Sequence, residues 1–106
     1  MRTLRFIVDG QVISKDPNCD FSDLVPGSSG FLQAEFIFSS EWNDCIKVAG
    51  FTSGVKEHAV EIKDGKTAII PGNVLKNTSF GVRVLGKKNE YKLTTNKLIV
   101  RQNGGR

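Results

Sequence analysis

Few residues in this chain have the type and spacing that chemistry needs. His58 is the only histidine. An imidazole works as a general base or a metal ligand only beside partners at suitable spacing. His58 instead lies in the alternating run Val55–Ile62, without Cys, Asp or Glu at ligand spacing, and reads as a surface or packing residue. Cys19 and Cys45 stand 26 residues apart with no Cys-x-x-Cys pair, which argues against zinc. No local motif supports a Cys/His nucleophile. Asp16, Asn18, Asp20 and Asp23 crowd one segment, but they lack the calcium-loop register and its distal bidentate Glu. Asx-turns and capping account for them better. The remaining set is basic: Arg83, Lys87, Lys88, Lys92, Lys97 and Arg101, interleaved with Phe80 and Tyr91. Such a mixture can bind single strands by charge and stacking. It has no glycine-rich phosphate loop and no recognition helix, so a lysine-rich sheet edge that resists aggregation is the simpler reading. No catalytic residue, metal or cofactor is expected, and no enzymatic role.

The elements that must position these residues are short and extended. In Gly30–Phe51, Leu32, Ala34, Phe36 and Phe38 fall on one side of a two-residue repeat, with Gln33 and Glu35 on the other. Ser39-Ser40-Glu41 breaks that strand, because short hydroxyls compete for local backbone amides. Trp42, the only tryptophan, follows at the corner before Cys45–Phe51 resumes extended character. Its apolar neighbours Phe38 and Ile46 favour a core position over an interface anchor. Before this, Thr3–Val8 and Gln11–Ser14 flank the hairpin signal Asp9-Gly10, and Lys15–Gly30 is loop. After it come Val55–Ile62, Thr67–Ile70, a helical turn beginning at Pro71, Phe80–Leu85, a hairpin loop at Gly86–Glu90, Tyr91–Thr95 and Leu98–Gln102.

About eight short strands at this spacing predict an all-β antiparallel sandwich with one short helical turn. Phe36, Phe38, Val48, Phe51, Ile69, Val82, Val84 and Val100 are its expected core. Residues 1–102 form the domain and residues 103–106 a flexible tail.

A chain of 106 residues, 39% of them hydrophobic, is one domain's worth with a single core. Its longest apolar runs fall far short of the roughly 20 residues that span a bilayer, so no membrane partner is expected. MRTLRFIVDG carries Arg5 within its apolar stretch and lacks a small-residue cleavage site, unlike a signal peptide. Free thiols are the expectation for Cys19 and Cys45. The net charge of +4 hides a division. Residues 1–70 hold seven Lys/Arg against ten Asp/Glu, and residues 71–106 hold eight against Glu90 alone, giving −3 and +7. Such asymmetry suits an electrostatic seam between subunits or a nucleic-acid surface.

The segment Phe36-Ile37-Phe38-Ser39-Ser40-Glu41-Trp42-Asn43-Asp44, followed by Lys47-Val48-Ala49-Gly50-Phe51, resembles a pattern of small immunoglobulin-like modules in tailed-phage and prophage structural proteins. Ile69-Ile70-Pro71-Gly72-Asn73-Val74-Leu75 looks like that family's turn, Phe80–Gly86 its following strand, and Leu93-Thr94-Thr95-Asn96 its approach to the last strand. The ordered set covers about residues 30–102. The resemblance implies an immunoglobulin-like sandwich, made in the bacterial cytoplasm and located in the virion, without enzymatic activity. Such modules dock baseplate, head-fibre or capsid-decoration proteins, so copies of itself and other capsid or tail proteins are the implied partners. Longer tail-spike or linker regions usually follow them. A chain ending at Arg106 fits a standalone decoration module or the first part of a longer protein. Trp42, Arg83, Lys87, Lys88, Lys92, Lys97 and Arg101 are the protein-binding candidates. Two other readings stay open: a small phage-encoded inhibitor of a host protein, and a basic barrel that binds single-stranded nucleic acid through Phe80 and Tyr91. The second is the less favoured.

Overall fold

Alternation of inward apolar and outward polar side chains builds two packed sheets. The computed structural model describes residues 1–103. Among them lie strands β1 (Arg2–Asp9), β2 (Val12–Lys15), β3 (Leu32–Phe38), β4 (Ile46–Ser53), β5 (Lys56–Glu61), β6 (Thr67–Ile69), β7 (Ser79–Lys88), β8 (Tyr91–Thr94) and β9 (Leu98–Arg101), with 3₁₀ turns at Ser40–Trp42 and Gly72–Val74. The first sheet has the order β2-β1-β3-β6, and the second β5-β4-β7-β8, with β9 also paired to β7. Strands β8 and β9 lie end to end along one edge of β7. The expected all-β sandwich is what the chain forms. Successive strands β3 and β4 lie in opposite sheets, as do β6 and β7, yet β3 pairs with β6 and β4 with β7. That crossing is the wiring of the immunoglobulin-type sandwich.

One pairing is not antiparallel. The β1–β2 hairpin turns the chain back, and residues 16–31 then carry it across the end of the sandwich. Strand β3 therefore starts beside the start of β1 and runs parallel to it, with Leu4 opposite Ala34 and Phe6 opposite Phe36. The crossing segment is pinned where it passes: the Arg2 guanidinium donates to the carbonyls of Asp20 at 2.9 Å and Ser22 at 2.7 Å, and the Arg2 amide donates to Phe31 O at 2.8 Å.

Leu4, Phe6 and Val8 of β1 meet Leu32, Ala34 and Phe36 of β3 from one side, and Ala49, Phe51, Phe80, Val82, Val84 and Val100 from the other; all are buried. Each fully buried Val, Leu or Phe among them contributes about 1.5–3 kcal/mol relative to exposure. An aromatic chain runs through the core: Phe21 on Phe6 (5.5 Å between centroids), Phe6 on Phe36 (5.6 Å), Phe36 on Phe38 (5.8 Å) and Phe38 on Trp42 (5.3 Å). Trp42 is the plug at one end. It is fully buried, its Nε1–H donates to Gly10 O at 2.8 Å, and its ring lies against Gly86.

Several expectations need correction. Val48 and Ile69 face outward, and their neighbours Ala49, Ala68 and Ile70 fill the core instead. Phe38 is only partly buried. The loop placed at Gly86–Glu90 is shorter, because β7 continues to Lys88 and only Asn89 and Glu90 turn, Asn89 with φ +54°. Pro71 is extended and stands just ahead of its 3₁₀ turn rather than inside it. Asn103, the first residue of the expected tail, donates its amide to Leu24 O at 2.6 Å; residues 104–106 lie outside the described residues.

Candidate interaction surface

The residues singled out for classical chemistry have local duties. Asp16 Oδ1 accepts the Asn18 amide at 2.9 Å and Asp20 Oδ1 the Ser22 amide at 2.8 Å, so the calcium-like segment is a pair of Asx-turns. The Ser22 hydroxyl and amide hold the Asp20 carboxyl below its ordinary range. His58 sits part-buried on edge strand β5, opposite Phe51. Cys19 and Cys45 are both free thiols. Among the described residues, no three His, Cys, Asp or Glu side chains converge on a point that could hold a metal ion, and no helix is long and apolar enough to cross a membrane. Phe80, one of the two aromatics proposed to stack on bases, is 2% exposed and belongs to the core. Tyr91 alone remains at the surface, with its hydroxyl donating to Glu41 O at 3.2 Å.

The basic candidates are sorted by strand alternation. On β7, Phe80, Val82 and Val84 point inward, so Arg83, Leu85 and Lys87 point out. The register then sets β4 residues Gly50, Val48 and Ile46 beside them, in that order. On the far side of β7, Thr94 pairs with Leu85 and Lys92 with Lys87; on the far side of β4, Glu61 pairs with Val48. Lys97 lies over Gly81 on the same face, and Ile99 and Arg101 continue it along β9. Five of the six basic candidates therefore share the outer face of the second sheet. Lys88 does not: alternation turns it toward the sheet's end, where its ammonium donates to Asn43 O at 3.4 Å. Trp42, fully buried, presents no surface to a partner.

This face has two unlike halves. In one, Glu57 accepts two bonds from the Arg83 guanidinium, 2.6 Å from Nε and 2.8 Å from the second nitrogen. That pairing holds the Glu57 carboxyl below its ordinary range, with the Lys97 charge assisting, and raises Arg83. The pair lies flat because Gly50 offers no side chain beneath the Glu57 carboxylate. In the other half, Ile46, Val48, Leu85 and Thr94 line a shallow hollow of about 370 Å³ rimmed by Lys87 and Lys92. Ile46 is 67% exposed. Nothing in the described chain covers this hollow. Sequence reasoning found the lysines and missed the apolar floor, because it assigned Val48 to the core. The signal was present: Ala49 and Phe51 are also apolar and share the opposite parity.

No protein-family model, no curated protein and no solved structure matches this chain.

Proposed function

We propose that this chain is a non-enzymatic structural module of a phage or prophage virion, which assembles with capsid or tail proteins or with copies of itself. The observation that carries this reading is the uncovered apolar hollow of Ile46, Val48 and Leu85, rimmed by Lys87 and Lys92, on the outer face of the second sheet. A rigid sheet face with an apolar floor and a charged rim has the composition of a protein-binding site. The ordered motifs between residues 30 and 102 support the virion setting, whether baseplate, head fibre or capsid decoration. Apolar contact would supply most of the affinity, since exposed ion pairs are worth only about 0–1 kcal/mol each. The lysines would steer encounter and fix register.

Replacing Lys87, Lys88 and Lys92 with Glu tests this. The variant should keep the fold and associate more slowly with its cognate capsid or tail proteins, with an altered salt dependence. Unchanged association of a folded variant would contradict this role for the basic set. A complex with a host protein, and none with virion proteins, would transfer the same surface to an inhibitor.

A further inference from the structure

We infer that the hollow on the second sheet takes an acidic protein segment, with an apolar side chain on Val48 and Leu85 and carboxylates between Lys87 and Lys92. This inference rests on the assembly reading above and names the chemistry of the partner. Lys87 and Lys92 are directly opposed across β7 and β8, on the same face. Like charges at such a position disfavour the sheet. Among the described residues, neither ammonium has a carboxylate within ion-pair distance, whereas Arg5 and Arg83 both do. The lysine pair stands at the lip of a hollow whose floor is apolar and whose most exposed member, Ile46, lies directly across from Lys87. A carboxylate placed between the two ammonium groups relieves their repulsion, and an adjacent apolar side chain covers the floor.

Charge also decides against a second copy docked face to face. The outer face bears Arg83, Lys87, Lys92, Lys97 and Arg101 against Glu57 and Glu61. Two such faces would repel, so the complementary occupant is an acidic segment and not the same face of a second copy.

The probe is a synthetic peptide alternating Glu with Leu and Val, added to the isotope-labelled full chain and followed by amide chemical shifts. Shifts confined to Ile46, Val48, Leu85, Lys87, Lys92 and Thr94 are expected, fading as salt is raised. The Lys87→Glu/Lys92→Glu variant should bind about tenfold more weakly, as the loss of two exposed ion pairs implies. A Lys-for-Glu version of the peptide should shift nothing at the hollow. The inference is overturned by shifts elsewhere, by none at millimolar peptide, or by equal binding to the variant. Equal shifts with a deoxythymidine oligonucleotide also overturn it, in favour of a generic anion surface. If the peptide fails while cognate virion proteins still bind, only this inference falls; if both fail, the assembly reading falls with it.

Discussion

Gly86 and Gly50 are both strand glycines of the second sheet, and they face opposite sides of it. A Cβ on Gly86 would stand 2.7 Å from Cζ3 of Trp42, a buried ring with no room to move. Gly86→Ala should therefore destabilise the fold by about 1–3 kcal/mol, the range for overpacked cores. A Cβ on Gly50 would meet the Glu57 carboxylate instead, the far end of a flexible side chain at the surface. Gly50→Ala should displace Glu57 from Arg83 with a much smaller loss. Urea unfolding of both variants checks the contrast, and equal losses would contradict it. Asp64 makes a second prediction at this scale. It accepts the amides of Lys66 and Thr67 and the Thr67 hydroxyl at 2.6–2.9 Å, led by the hydroxyl, and its pKa is lowered from 3.8 to about 2. Because the folded value is the depressed one, the stabilisation is present above pH 3.8 and is lost as pH falls through about 2. A carboxyl titration by NMR should give a midpoint near 2 for Asp64, moving upward in Thr67→Val. A wild-type midpoint near the ordinary value would refute the turn's role. The break between Val55–Ile62 and Thr67–Ile70, where this turn lies, was legible in the sequence. The glycine contacts were not, because spacing says nothing about which ring or carboxylate will arrive opposite a missing side chain.

Strand β2 and the turn before it are tied to the other sheet as well as to β1. Asn96 accepts the Ile13 amide through Oδ1 at 2.9 Å and donates its own amide to Gln11 O at 3.2 Å, while the Gln11 side chain donates to Thr94 O at 3.2 Å. These bonds close one side of the sandwich between the β1–β2 hairpin and the β8–β9 junction. Asn96→Ala should raise hydrogen exchange at Ile13 and its β2 neighbours while β4 and β7 amides stay protected. Protection at Ile13 unchanged from wild type would refute the tie. Most strands could be read from alternation and turn residues, and nearly all were found within a few residues of their observed ends. Facing failed where apolar residues occur at both parities. Ile69-Ile70 and Val48-Ala49 each offer two candidates for one inward position, and size does not choose between them: the first two are the same residue, and in the second pair the smaller Ala49 turns inward. In both cases tertiary register decided, since Ala34 of β3 pairs with Ala68 and Val84 of β7 with Ala49. The parallel β1–β3 pair was likewise beyond local reading, because it depends on where the long crossing segment delivers the chain.

Across the whole molecule, the −3/+7 division of the sequence does not become two opposed poles. Glu57 and Glu61 of the acidic part lie on the same face as Arg83, Lys87 and Lys92 of the basic part, and the Glu57–Arg83 pair is satisfied internally. What remains is a local imbalance around one apolar hollow. All six basic candidates were named from the sequence, and five of them share this face. That Lys87 and Lys88 separate, one to the face and one to the end, follows only once the strand is known to continue past Gly86. The central claim is that this face assembles the chain with virion proteins. Sedimentation velocity of the full chain, alone and mixed with its cognate capsid and tail proteins, tests it most directly. The wild-type chain should move in a faster boundary with at least one of them, and Ile46→Asp, at a 67% exposed position, should stay folded and remain in the slow boundary. A wild-type chain that sediments as a strict monomer beside every virion component at high concentration would contradict the claim.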